Sequence, residues 1–238
     1  VACKEWNSLP AEEHFAFTGN SYDNTGHLTA NTWRHVRFIE VFSPDRSQAA
    51  WYMMSDSCKH CVQAGCMEVC PTHAIIRTDL GNVVVQPDVC NGCRNCIPAC
   101  PYGVISFNPK DGKVHKCTLC DDRIHAGLEP ACAKACPTDS IVYGDVDELR
   151  AKARERVKSL QSAGYQKAQI YGEADVLGGL NVFFLLLDNP EVYGQPSKPT
   201  LPQKNLVPGY LGSAVSGILL GLAAVMSFRE RLSRRGEE

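Results

Sequence analysis

Cysteine is the residue type in this chain whose spacing can do chemistry. Thirteen cysteines stand among 238 residues, and twelve of them fall into three runs. Cys58, Cys61, Cys66 and Cys70 read C-x2-C-x4-C-x3-C-P; Cys90, Cys93, Cys96 and Cys100 read C-x2-C-x2-C-x3-C-P; Cys117, Cys120, Cys132 and Cys136 read C-x2-C-x11-C-x3-C-P. The middle run is the bacterial ferredoxin pattern, proline included, in which thiolates hold [4Fe–4S] clusters. The other two are the same unit with a longer insertion before the third cysteine. An odd count excludes a fully paired disulfide framework. Twelve plus one is three sets of four and a remainder.

Three thiolates from one tight loop suit three neighbouring irons of a cubane, with the short gaps leaving backbone N–H groups free to turn toward the cluster. The fourth cysteine, ahead of proline, leaves that loop and in two-cluster ferredoxins ligates the other cluster. On that rule Cys58, Cys61 and Cys66 take Cys100, while Cys90, Cys93 and Cys96 take Cys70. Zinc ribbons also use paired C-x2-C, but each knuckle supplies two thiolates and has no need of a third or of Cys-Pro.

The elements that position these thiols repeat with them. Each Cys-Pro is followed by a turn and an isoleucine, at Ile75, Ile105 and Ile141, an internal repeat with cysteine steps from 70 to 100 to 136. Short strands are predicted at Ile105–Phe107, Ile141–Tyr143 and Val83–Val85, and another through Val36, Phe38 and Val41. Residues 10–50, with Gly19, Asn20, Asn24 and Gly26, read as a turn-rich insertion. Residues 147–160 read as an amphipathic helix, with Leu149, Ala153, Val157 and Leu160 on one face, Asp145 or Asp147 as N-cap and Gly164 near its end. Its basic residues from Arg150 to Lys158 read as a solvated face. Leu177–Leu187 is apolar but too short for a bilayer, and fits a buried strand or short helix. Trp6, Trp33 and Trp51 read as core aromatics, with shielding of a cluster as the alternative. His60 and His115 are placed to hydrogen-bond a cluster sulfur without being ligands. The sequence shows no nucleophile–base arrangement and no phosphate-binding glycine loop. A net charge of −2 gives no basic surplus for nucleic acid.

Five prolines between 188 and 208 predict an extended tether. Residues 209–228 are uncharged and apolar or small, enough to span the hydrocarbon core. Arg229, Arg231, Arg234 and Arg235 follow, against Lys198 and Lys204 on the other side, so the positive-inside rule places the basic tail, 229–238, in the cytoplasm. Gly209, Ser213, Gly217 and Gly221 form a ridge that lets another membrane helix approach.

The Val1-Ala-Cys3-Lys-Glu-Trp-Asn opening, Thr32-Trp33, Cys58-Lys-His-Cys61, Lys116-Cys-Thr-Leu-Cys120-Asp-Asp-Arg123 and Leu177-Gly-Gly-Leu180 resemble the iron–sulfur (beta) subunits of membrane-bound formate dehydrogenases over essentially the whole chain. These belong to the four-cluster ferredoxin subunits of molybdenum and tungsten oxidoreductases. The resemblance implies an α+β fold: a tandem bacterial-ferredoxin-like, double [4Fe–4S] domain over 1–187 with one C-terminal transmembrane helix. It implies that Cys3 completes Cys117, Cys120 and Cys132. Cys136 is then left for a fourth cluster whose other three ligands this chain does not contain, so three clusters are complete and a fourth requires a longer native N-terminus. The chain has neither an initiator methionine nor a signal peptide, and export already folded with a twin-arginine partner is implied. The implied partners are a molybdopterin (Mo or W) catalytic alpha subunit, a membrane cytochrome b gamma subunit and the lipid bilayer. The implied role is non-catalytic electron transfer at the bacterial inner membrane, with the cluster domain periplasmic. The rival readings are the same role for a hydrogenase or a dimethyl sulfoxide, polysulfide or nitrate reductase, and a zinc-stabilised, membrane-tethered interaction module.

Overall fold

The computed structural model describes residues 1–12 and 25–235, in two units, Val1–Pro199 and Thr200–Glu238. The first unit mixes helices and strands. Its strands pair two by two, each pair antiparallel: β1 (Arg34–Phe42) with β2 (Ala49–Ser57), β3 (Ile75–Arg77) with β4 (Val83–Val85), β5 (Ser106–Asn108) with β6 (Lys113–His115), and β7 (Gln169–Tyr171) with β8 (Phe184–Leu186). Four helices of a turn or so stand beside the cysteine loops: α1 (Ala2–Trp6), α2 (Gly65–Glu68), α3 (Asp121–His125) and α4 (Ala131–Lys134). A longer α5 spans Val146–Ser162, capped by Asp145, whose carboxylate accepts from the backbone N–H of Asp147 and Glu148.

The sequence repeat is also a backbone repeat. The residue before the second cysteine of each run takes positive φ: His60 (46°), Gly92 (70°) and Leu119 (59°). So does the second residue after each Cys-Pro: His73 (54°), Gly103 (63°) and Asp139 (50°). At each of the latter positions the N–H returns to the cysteine carbonyl, as in His73 to Cys70 and Gly103 to Cys100. The loops then run into Ile75 and Ile105, which with Val83, Val104 and Val114 are at most 4% exposed and form the core between the cysteine loops. Burying one such side chain is worth about 1.5–3 kcal/mol.

The third repeat departs from the first two. No strand forms at 141–143, where Val142 and Tyr143 are exposed. β3 and β5 each have a returning partner three residues long, whereas the polypeptide after Ile141 goes straight into α5 and supplies none. On α5 the expected face, Leu149, Ala153, Val157 and Leu160, is half-buried. Its basic residues are exposed from Lys152 to Lys158, with Arg154 paired to Glu173 at 2.7 Å; Arg150 is half-buried and donates to the Leu180 carbonyl.

Residues 188–199 pack and do not run as a free tether. Tyr193 is 3% exposed, stacks on Tyr52 at 5.4 Å between ring centroids, and its carbonyl accepts from Arg37. The Tyr171 hydroxyl donates to the Pro196 carbonyl at 2.7 Å. β1 lies inside the stretch expected as an insertion; Gly19, Asn20 and Asn24 lie outside the described residues. Of the three tryptophans only Trp33 packs against the core, while Trp6 and Trp51 are nearly half exposed. Leu177–Leu187 is a turn followed by β8.

The second unit holds α6 (Leu206–Arg235), three residues longer at its start than the apolar pattern indicates. Pro208 is accommodated in the first turn, where its missing N–H has no intrahelical partner to lose. Leu206–Arg229 is long and apolar enough to cross a membrane, with mean hydropathy 1.9 and none of it buried.

Candidate metal centres

The backbone repeat places thiols around cavities. Cys58, Cys61, Cys66 and Cys100 line one, together with Ala64, Val104 and Ile105. Cys70, Cys90, Cys93 and Cys96 line another. In each, three thiols come from one run and the fourth from the other. Elsewhere α1 packs on α4, and the Trp6 indole N–H donates to Asp122 of α3 at 2.8 Å. This brings Cys3 within the electrostatic reach of Cys117, Cys120 and Cys132. Cys136 stands apart: the groups that act on it are Thr138, Ile141 and Ser140.

All thirteen cysteines are free of disulfides. Among the described residues no three His, Cys, Asp or Glu side chains converge tightly enough to hold a single metal ion. The thiols ring a space instead, as suits a group that offers each thiolate a different iron, and the all-sulfur donor set suits an iron–sulfur cluster.

Without a metal, crowded buried thiols resist ionising. Burial and the thiols of Cys117 and Cys120 push Cys3 up to about 12. Burial and Cys58 push Cys66 up to about 12, and burial takes Cys96 up to about 11. The exceptions have donors at the sulfur. Burial works to raise Cys58, but His60 and Lys116 outweigh it and bring the thiol down to about 5. The Thr138 hydroxyl and the Ile141 N–H pull half-buried Cys136 down to about 7. Thr72 and the Ile75 N–H lower Cys70 in the same way, against its burial. The turn after each Cys-Pro is thus a cup of N–H groups around a sulfur, which favours its thiolate form.

Three features have no counterpart in the motif reading. Lys59 and Lys116 are 1% and 2% exposed. Lys59 pairs with Asp56, donates to the Ser57 carbonyl at 2.8 Å and lies against the rings of Tyr102 and Phe184. Lys116 donates to the carbonyls of Val83 and Cys117. The only sign of them in the sequence is a lysine inside one Cys-x2-Cys run, at 59, and one just before another, at 116. Residues 177–182 clamp the first cysteine loop by backbone bonds: Val62 N to Gly179 O and Gln63 N to Leu177 O, both 2.9 Å, and Val182 N to Lys59 O, 3.0 Å. Gly172, at φ +111°, leaves room for Leu180, which a Cβ would meet at 2.8 Å. His115 faces Asp111 at 2.7 Å and stacks on Trp33; His60 is wholly buried.

The sequence model of the family described as a 4Fe-4S dicluster domain matches residues 49–146. The formate dehydrogenase iron–sulfur subunit of Haemophilus influenzae is 42% identical over 205 residues, covering 84% of this chain and 64% of that protein. The formate dehydrogenase-O iron–sulfur subunit of Escherichia coli is 40% identical over 210 residues, covering 85% and 67%. One subunit of the anaerobic dimethyl sulfoxide reductase of E. coli is 45% identical over 155 residues, covering 64% and 68%. The chain thus spans about two thirds of the length of the curated relatives it matches.

Proposed function

This protein belongs to the iron–sulfur subunits of formate dehydrogenases, and on that premise we propose that it is a non-catalytic electron-transfer subunit of such a complex. Its cofactors are [4Fe–4S] clusters. The observation that carries the reading is the sharing of each cavity between two cysteine runs. Cys58, Cys61, Cys66 and Cys100 hold one cluster, Cys90, Cys93, Cys96 and Cys70 a second, and Cys117, Cys120, Cys132 and Cys3 a third, in a tandem ferredoxin-like arrangement. Cys136 is offered to a fourth.

When bound, the clusters supply reversible one-electron transfer, here from a molybdopterin (Mo or W) catalytic subunit to a membrane cytochrome b or quinone site. The chain's own residues fix where the clusters stand and how readily they accept charge. The N–H cups lower the thiols of Cys70 and Cys136; at Cys100 burial still raises the thiol, against the N–H groups of Val104 and Tyr102. Apolar residues such as Ala64, Val104 and Ile105 exclude water from one cavity, while Cys93 leaves the other open to solvent. α6 anchors the subunit by a single pass, its arginines cytoplasmic and the cluster domain periplasmic.

Replacing Cys93 by Ser in the assembled complex tests this. Formate-to-quinone activity is lost while reduction of an artificial dye at the catalytic subunit persists; equal loss of both refutes the reading. The identity with the dimethyl sulfoxide reductase subunit supports a second reading, the same role beside a different catalytic subunit. The partner that copurifies, assayed on formate and on dimethyl sulfoxide, separates the two.

A further inference from the structure

His60 lies in the first cysteine loop with no exposed surface. Its Nδ1 accepts from the backbone N–H of Val83 at 3.0 Å. That bond fixes the tautomer: the neutral ring carries its proton on Nε2. Nε2 is buried and has no hydrogen-bond partner among the described residues. A buried donor left unmade costs about 1–3 kcal/mol, so the absence of an oxygen or nitrogen acceptor at this atom calls for another partner. The thiols on which the side chain acts are Cys58 and Cys117, one from each of two ligand sets. The ring cannot easily turn away, because Val83 lies in β4 and the His60 carbonyl is engaged by Asn181 N.

The surroundings point the same way. Lys59 has the Asp56 carboxylate beside it, but Lys116 bonds to two backbone carbonyls, and Arg34 bonds to the hydroxyls of Ser55 and Ser57 at 2.8 and 2.9 Å. Neither has a carboxylate within ion-pair distance among the described residues. The charge of Lys116 reaches Cys58 and Cys66, and that of Arg34 reaches Cys3 and Cys117. A junction lined by buried Lys116, half-buried Arg34 and a fixed N–H, and poor in carboxylates, favours added negative charge on both sides.

Resting on the cluster assignment above, we propose that His60 is a positioning residue whose Nε2–H is shared by the sulfurs of Cys58 and Cys117, and that it raises the reduction potential of the two centres together. Hydrogen bonds to cluster sulfurs are an established lever on potential. The test is an EPR-monitored redox titration of the cluster-loaded protein, with iron counted in parallel, for wild type, His60→Leu and His60→Gln. His60→Leu is expected to keep its iron while two midpoint potentials fall together. The expected size is about tenfold in the equilibrium constant for reduction, 59 mV for one electron. His60→Gln, which returns an N–H to the same place, recovers most of the shift. Unchanged potentials in iron-replete His60→Leu, or a shift in one centre alone, overturns the shared donor. If His60→Leu loses iron, His60→Gln decides: retained iron with both potentials near wild type supports the donor, and lost iron overturns it in favour of a merely structural histidine. Wild-type protein that never acquires reducible clusters refutes the cluster assignment itself, a distinct result.

Discussion

Replacing Asp56 by Asn strands a buried cation. The Asp56 side chain is 9% exposed and Lys59, its partner, 1%. Removing one partner of a buried ion pair costs about 3–5 kcal/mol, because the other charge is left uncompensated. Here Lys59 keeps the Ser57 carbonyl and two ring faces, and the new amide keeps an oxygen, so the low end applies, about 3 kcal/mol. The carboxylate's further contacts, with His35 at 4.0 Å and Arg37 at 3.9 Å, add little, since Arg37 is a third exposed. For a unit of this size about 3 kcal/mol lowers Tm by about 6–12 °C. The assay is thermal unfolding of the cluster-loaded protein at a fixed scan rate, followed by far-UV circular dichroism and by the visible absorbance of the clusters. Because Lys59 sits inside Cys58-x2-Cys61, the absorbance is expected to fall no later than the helical signal. A double variant, Asp56→Asn with Lys59→Met, removes both charges and is expected to recover at least half of the loss. An Asp56→Asn protein within about 2 °C of wild type refutes the reasoning, since that corresponds to under 1 kcal/mol; so does a double variant less stable than the single one.

Gly92→Ala puts a Cβ 2.1 Å from the Gly112 carbonyl oxygen at φ +70°, so the loop carrying Cys90 and Cys93 must part from the β5–β6 turn. Iron analysis is expected to show about four irons fewer than wild type, one [4Fe–4S] cluster. Burial works to raise the Glu12 carboxyl, but the hydroxyls of Thr29 and Thr32, each donating at 2.6 Å, hold it below its ordinary value of 4.5. A depressed carboxyl stabilises the fold above its unfolded pKa and stops doing so as pH falls through its folded one. Glu12→Gln is therefore expected to be less stable than wild type at pH 7, with the gap closing in acid below about pH 4.5 in urea titrations. Lysines at both Leu219 and Leu220, in the middle of α6, cost about 2.5–3.5 kcal/mol each in a bilayer and are expected to move the chain from the carbonate-resistant membrane fraction to the soluble one. Asp145→Ala removes the cap of α5 and is expected to lower stability by about 1 kcal/mol, read as a lower urea midpoint at constant slope.

The cysteine loops are legible in the sequence because ligation dictates spacing, and spacing is local. The turn after Cys-Pro is legible for the same reason: proline and a positive-φ residue at 73, 103 and 139 fix it within a few positions. β3, β4 and β5 can be anticipated from short apolar runs, but a strand also needs a partner. Ile141–Tyr143 has the composition of its predecessors and no returning strand, so it stays unpaired. The clamp of 177–182 on 59–63 spans more than a hundred residues of sequence, and no local pattern encodes it. Tyr193 sits among prolines that suggest a tether, and only the distant Tyr52 and Arg37 reveal that it is buried. Lys59 and Lys116 are hidden by type, since lysine is the residue least expected in a core. Their partners, a carboxylate three residues away and a carbonyl in another hairpin, are what make burial tolerable.

The central claim is that shared cavities, each ringed by three thiols of one run and one of another, hold redox-active clusters. Anaerobic iron and sulfide analysis of this polypeptide, with EPR after dithionite reduction, tests it most directly. Three complete ligand sets predict about twelve irons per chain and EPR signals that appear on reduction. Ser at Cys100 is then expected to disturb the centre held by Cys58, Cys61 and Cys66 and to leave intact the one held by its own run. A colourless, zinc-bearing protein, or a Cys100→Ser variant that loses the Cys90, Cys93 and Cys96 centre instead, contradicts it.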